Sequence, residues 1–368
     1  MRIGYDAKRV FHNASGLGNY SRDFIRILGI HINKNDYFLY NPKPASLNKW
    51  KPLSNTIEKL PKGIWKWLHV FWRQGPIRYQ LKRDRIQLFH GLSGELPKKL
   101  DIPSIVTVHD LIFLRYPKLY KKIDVNIHKR KVNHAVRSAN KVVAISEQTK
   151  ADIITYTGIE NNKVEVIYQG CHPAFKKTLL DSEKKVLKKK YNLPEKFVLY
   201  VGTLEERKNA LLIVKSLLNT KHTIVFVGRV KAYGEKVKSF VKKNGMANRV
   251  CFIDNIDVKD LAGIYQNATI FCYPSFFEGF GIPIIEALYS GVPVITTRGG
   301  CFSEAGGSSS LYINPNNEDE LRDAVEQLSN ESSKDRKNRI EQGLEFVQKF
   351  NDEVLAEQWN NLYEAVLS

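Results

Sequence analysis

The feature that most constrains this chain is a rhythm: short apolar, β-branched runs alternate with longer segments of helical period through most of its length. The first series comprises Ile3–Asp6, Tyr37–Tyr40, Leu88–Phe89, Ile105–His109, Val142–Ser146 and Val164–Tyr168. The second comprises Phe197–Gly202, Thr223–Gly228, Val250–Ile253, Thr269–Tyr273 and Val292–Thr296. Strands joined through helices pair in parallel, with helices covering both faces of the sheet. At 368 residues the chain is long for one core. The pattern therefore predicts an α/β protein of two doubly wound, Rossmann-like domains, divided near Gly170 to Lys177 and assigned as 1–173 and 174–345. Ligands of such sheets bind beyond the strand carboxyl ends, so two facing domains would enclose a cleft.

Charge separates the two halves. Residues 1–175 hold 30 Lys+Arg against 13 Asp+Glu, whereas 176–368 hold 27 against 25. A basic first half attracts phosphates, whether of nucleic acid, anionic lipid headgroups or a phosphorylated substrate. The four cysteines, Cys171, Cys251, Cys272 and Cys301, are widely spaced and fit neither a zinc site nor a disulfide framework; buried, reduced thiols are expected. Without an apolar run of about 18 residues, and with a strand-like rather than signal-like start, the expectation is a cytoplasmic protein.

The most informative stretch is Ser275–Ser290, SFFEGFGIPIIEALYS. It follows a buried strand, so Glu278-Gly279-Phe280-Gly281 forms the loop at that strand's carboxyl end, with Ile282 and Pro283 opening a helix. Gly279 and Gly281 would admit a ligand close to the backbone, and the helix N–H groups would face an anion. Glu286, about one turn in, could accept two hydrogen bonds from a diol such as ribose. Upstream, FVLYVGTLEERKN gives a strand, a Gly202-Thr203 turn and then Arg207 and Lys208, two cations suited to a diphosphate. In the first half, Gly16-Leu17-Gly18-Asn19-Tyr20 reads as a glycine loop feeding a helix over Tyr20 to Leu28, and SIVTVHDL ends a strand in His109 and Asp110. Ser146 is an N-cap.

These segments, in this order, resemble the family 4 retaining glycosyltransferases of GT-B fold. EGFGIPIIE matches that family's E-x7-E signature, and GTLEERKN its Arg-Lys segment. The resemblance implies that Arg207, Lys208 and the helix N-terminus at Gly281 hold the donor phosphates, with Glu278 beside the phosphates or the sugar. It puts Gly16 and Gly18 near the phosphates and acceptor, and His109 near the transferred sugar's hydroxyls with Asp110 orienting it. The loops after Val227-Gly228-Arg229 and Phe252–Ile256 would surround the base, and residues 346–368 would form a helix crossing back to the first domain. The reaction implied is transfer of a hexose from a nucleotide diphosphate sugar to a hydroxyl of a glycan or lipid-linked glycan, with retention. No metal and no cofactor beyond the co-substrate are implied, the D-x-D signature of metal-dependent transferases being absent from the sequence. Closest in pattern are bacterial mannosyltransferases of surface polysaccharide synthesis, which favours GDP-mannose over a UDP-sugar. A nucleic-acid-binding protein is the rival from another class, but no module for it is present and no nucleic acid is expected.

One stretch stands apart from these motifs. Leu60–Arg85 packs Trp65, Trp67, Leu68, Val70, Phe71 and Trp72 among Lys62, Lys66, Arg73, Arg78, Lys82, Arg83 and Arg85. Such a composition fits peripheral docking on an anionic membrane at its inner face. It fits equally a helix packed into the first domain's core.

Overall fold

The computed structural model describes residues 1–14, 16–45 and 50–368. The chain divides into two compact units, Met1–Gly170 with Phe350–Ser368, and Cys171–Lys349. The borders expected at 173/174 and 345/346 thus fall a few residues from those observed.

Among the described residues the first unit holds seven strands: β1 (Arg2–Asp6), β2 (Asp36–Tyr40), β3 (Thr56–Lys59), β4 (Leu88–Gly91), β5 (Ser104–Val108), β6 (Lys141–Ala144) and β7 (Val164–Val166). They pair in parallel in the order β3-β2-β1-β4-β5-β6-β7. The second holds β8 (Val198–Val201), β9 (Ile224–Val227), β10 (Val250–Ile253), β11 (Ile270–Tyr273), β12 (Val294–Thr297) and β13 (Leu311–Ile313), parallel in the order β10-β9-β8-β11-β12-β13. Central strands such as SIVTV of β5 and VLYV of β8 are buried throughout, which is why they read as continuous apolar runs. The two strands that the pattern did not reveal, β3 and β13, are edge strands. TIEK of β3 has no buried residue and LYI of β13 has one, so neither carries the two-sided signal.

In the first sheet, side-chain alternation distributes residues to two cores. Ile3, Tyr5, Tyr37, Leu39 and Leu88 meet the Gly16–His31 helix on one face. Phe38, Tyr40, Phe89, Val106 and Val108 meet Trp72, Ile77, Leu81, Val132 and Val136 on the other. The Asp352–Leu367 helix completes the first core with Leu355, Ala356, Trp359, Leu362 and Tyr363, and Arg26 pairs with Asp352 at 2.7 Å. Ser146 caps the Glu147–Thr157 helix by accepting from the Thr149 N–H, as its position predicts.

Candidate functional site

In the second unit, the loop after β8 and the loop after β11 meet. Arg207 and Lys208 lie in a short 3₁₀ turn, Glu206–Lys208, rather than in the first turn of a helix. Asn209 then takes the left-handed conformation at φ 56° and donates its side-chain amide to the Pro315 carbonyl at 2.7 Å, so the Ala210–Ser216 helix starts afresh. The turn is joined to the second loop by the Phe276 N–H, which donates to the Arg207 carbonyl at 2.9 Å.

Glu278 is the centre of this arrangement. Its Oε2 lies 2.7 Å from Arg207 Nη1, its Oε1 lies 3.0 Å from Lys208 Nζ, and the Tyr273 hydroxyl donates to Oε1 at 2.7 Å. Burial disfavours the carboxylate, but the charges of Lys208 and Arg207 and hydrogen bonds from Arg207 and Tyr273 outweigh it, holding the pKa at about 2. Glu278 is therefore ionised throughout the physiological range, and its charge favours the guanidinium form of Arg207. Arg207 also donates to Glu205 at 2.9 Å, and Lys208 to the Tyr273 hydroxyl at 2.6 Å. Gly202, at φ 145°, lies beside Lys208: a Cβ there would come 3.5 Å from Nζ. The neighbouring Thr203 carbonyl accepts from the Tyr200 hydroxyl at 3.3 Å.

Gly281 precedes the Ile282–Tyr289 helix at φ 130° with no side-chain cap, which leaves the first-turn N–H groups of that helix without a capping side chain. This backbone angle calls for glycine at 281, whereas Gly279 is not among the positive-φ glycines of the described residues. Phe280 is buried and Ile282 half-buried. Glu286 sits one turn into the helix and accepts from the Tyr265 hydroxyl at 3.1 Å. Sequence reasoning brought Arg207, Lys208, Glu278, Gly202 and Gly281 into one region. It missed Tyr273, Tyr265 and Glu205; the terminal position of Tyr273 on its strand was the available signal.

In the first unit, His109 lies just past β5 and both its ring nitrogens are engaged. Nε2 is 2.8 Å from the Leu92 carbonyl and Nδ1 is 3.0 Å from the Gln169 side-chain nitrogen. A carbonyl only accepts, so Nε2 carries the hydrogen and Nδ1 accepts from Gln169. Burial lowers the pKa to about 4, against the Leu92 bond and aided by the nearby Arg9, so the ring is neutral. These partners orient the imidazole, and the adjacent Asp110 accepts from the Ile112 N–H at 3.1 Å. The Tyr20 ring stands edge-on to His109 with centroids 4.5 Å apart.

The glycine segment differs from the expected loop: the helix begins at Gly16 itself and Gly18 lies in its first turn. Gly16 is exposed with open space at its Cβ position, while a Cβ on Gly18 would come 1.9 Å from the Asn13 carbonyl oxygen. Gly18 is thus explained by a close approach within the chain. Behind His109 runs a buried relay: the Tyr5 hydroxyl donates to that of Tyr363 at 3.2 Å, Tyr363 lies 2.8 Å from His90 Nδ1, and His90 Nε2 lies 2.8 Å from the Thr107 hydroxyl. Burial, with a smaller contribution from His109, lowers the His90 pKa to about 3.

Two parallel Rossmann-like sheets, with an anion-suited cluster at strand carboxyl ends in the second, define a doubly wound α/β protein of the kind that binds ligands beyond its strand ends. Two family models cover most of the chain: Glycosyltransferase Family 4 over residues 38–175 and Glycosyl transferases group 1 over 181–346. The chain belongs to this family of glycosyltransferases and has the GT-B fold. It is similar to O-antigen chain mannosyltransferase B of Escherichia coli, 23% identical over 99% of this chain and 100% of that protein. Among solved structures it resembles sucrose-phosphate synthase from Thermosynechococcus elongatus (TM-score 0.79, 20% identity, 100% and 99% of the chains covered). It also resembles Anabaena HepE in complex with UDP and glucose (TM-score 0.74, 16% identity, 99% of each chain covered).

Proposed function

We propose that this protein is a retaining, metal-independent hexosyltransferase that moves mannose from GDP-mannose to a hydroxyl of a glycan or lipid-linked glycan, at the inner face of an anionic membrane. The observation that carries the reading is the Arg207–Lys208–Glu278 cluster next to the uncapped helix that follows Gly281. Two cations bridged by the buried Glu278, with Glu205 also on Arg207, form a pre-aligned set of donors, and a diphosphate entering it meets groups that need little reorganisation. The bond from the anomeric carbon to the phosphate oxygen breaks as the acceptor oxygen bonds on the same face, and the acceptor proton passes to the departing phosphate. Arg207, Lys208 and the helix N–H groups stabilise the charge that grows on that phosphate. Glu286, one turn into the helix, is assigned to the ribose diol. His109 meets the transferred hexose as a neutral ring, a sugar hydroxyl replacing the Gln169 N–H at Nδ1. Gly16 and Gly18 are assigned to the surroundings of the phosphates and acceptor, and Asp110 to the setting of His109.

The mannosyl assignment is supported by the similarity to an O-antigen mannosyltransferase, and a UDP-sugar donor is the alternative, supported by the likeness to a protein solved with UDP. Thermal shift against a panel of nucleotide sugars tests the donor, since a specific ligand raises the midpoint by mass action. A rise with GDP-mannose alone fits the proposal, and a rise with UDP-sugars alone overturns the donor assignment. The anomeric configuration of the product, read by NMR, tests retention, and full turnover in excess chelator tests metal independence.

A further inference from the structure

Within Leu60–Arg85 the structure separates what composition could not. Trp72, Ile77 and Leu81 are buried in the first unit's core, so the core-packing alternative holds for them. Trp67 is 86% exposed, Ile64 65%, Phe71 62% and Val70 55%, in the short helical turns Gly63–Lys66 and His69–Gln74 and the residues joining them. A second set of exposed apolar residues lies far away in sequence: Leu119, Tyr120, Ile123 and Ile127. The Lys122–Ser138 helix has no fully buried residue before Val132; its first turns rest on the core through the half-buried Val125 and turn two isoleucines, one turn apart, to solvent.

The elements that carry the two sets share a core. Both elements pack on the same face of the first sheet, in the core cluster that holds Trp72 and Val132. Glu95 ties them together, accepting from Arg73 at 3.2 Å and from Lys131 at 3.0 Å. The charges around them have one sign: residues 60–85 and 116–131 together carry thirteen Lys+Arg against two Asp+Glu. Protein interfaces are depleted in lysine, whereas exposed aromatic and aliphatic side chains set among lysines match the boundary between acyl chains and anionic headgroups.

We propose that these two sets form one two-part membrane-docking surface on the first unit, with an anionic lipid bilayer as its occupant. The surface deepens the reading of a transferase acting at a membrane and depends on that reading only for the acceptor it would bring within reach. No helix among the described residues is long and apolar enough to cross a membrane, so attachment would be peripheral and reversible.

The test is flotation of the full chain with phosphatidylglycerol–phosphatidylcholine vesicles and with phosphatidylcholine vesicles, at low and at about 0.5 M salt, where screening contracts to a few ångströms. Binding to the anionic vesicles at low salt only, with a blue shift of tryptophan emission, is expected. The exposed pairs Trp67→Ser with Phe71→Ser, and Ile123→Ser with Ile127→Ser, should each lower partitioning at least tenfold while leaving the unfolding midpoint unchanged. Absence of wild-type binding to anionic vesicles overturns the proposal. An effect of the first pair alone refutes the two-part surface. Loss of a wild-type dimer in light scattering by either pair assigns the face to a second copy instead. Nucleotide-sugar thermal shift on the same variants should match wild type; if wild type itself gives no shift, the donor assignment fails while the vesicle result stands.

Discussion

The two units share an architecture yet treat their central polar groups in opposite ways. The second unit buries charge and compensates it: Glu278 is ionised between Arg207 and Lys208. At its two buried histidines the first unit suppresses charge instead, although it too pairs a buried carboxylate, Asp6, with Arg73: His90 and His109 are neutral rings, each with both nitrogens hydrogen-bonded. A compensated ion cluster gives a standing field suited to a polyanion. A neutral, fully bonded imidazole gives orientation without charge, suited to uncharged hydroxyls. Similar folds thus support different chemistry because the residues at the strand ends differ.

The sharpest way to break this contrast is Lys208→Ala. If the field does the chemistry, turnover falls by about 10²–10³-fold. Glu278 also loses a partner in a mostly buried cluster, so unfolding free energy should fall by about 3 kcal/mol. Adding Glu278→Gln should restore much of that stability and none of the turnover. Wild-type turnover in Lys208→Ala would remove the cluster from the reaction.

Acid titration distinguishes the units next. The histidines have folded pKa values near 3 and 4, below the ordinary value of about 6.5, so the folded state binds fewer protons in that interval. Their contribution is complete above pH 6.5 and is lost as pH falls toward 4, at up to about 1.4 kcal/mol per pH unit for each ring. Glu278, with a folded pKa near 2, retains its contribution until pH drops below the ordinary carboxylate value of about 4.3. All five tryptophans lie in the first unit, so their fluorescence in urea reports that unit. Its midpoint should fall with acid between pH 6.5 and 5 before the circular dichroism of the whole chain does. Coincident loss would dissolve the contrast.

Glu286→Gln should weaken donor binding by about tenfold, the worth of a charged hydrogen bond, with the unfolding midpoint unmoved. Calorimetric affinity equal to wild type would take Glu286 out of the site. The smallest effect expected is at the first unit's helix start. Gly16→Ala meets open space, so stability should rise by up to about 1 kcal/mol, and a severalfold rise in KM would mark a ligand approaching there. Gly18→Ala should lower stability instead, because its Cβ would overlap the Asn13 carbonyl.

What was legible in the sequence follows the same physics. Central parallel strands were readable because burial on both faces enforces unbroken apolar runs, whereas the edge strands β3 and β13 left no such mark. Arg207, Lys208 and Glu278 were found through motif spacing. Their mutual neutralisation was not, since it depends on two loops 70 residues apart being brought together. Gln169 and Leu92 were invisible for a related reason: a side-chain amide and a main-chain carbonyl leave no pattern, though they fix the tautomer of His109. The start of the helix at Gly16 ran against the usual reading of glycine as loop, and the close approach at Gly18 explains why glycine stands inside the first turn.

The Asp352–Leu367 helix sets an order of assembly during synthesis. Domains generally fold from the N-terminus as the chain emerges. Here the sheet made from the first 170 residues must wait for Trp359 to cover Phe24 and His90, and for Tyr363 to reach His90 and Tyr5. The unit spanning Cys171–Lys349 is by then fully translated. A chain truncated at residue 349 would therefore hold a complete second unit and a first unit with an uncovered apolar trough, a form prone to aggregation.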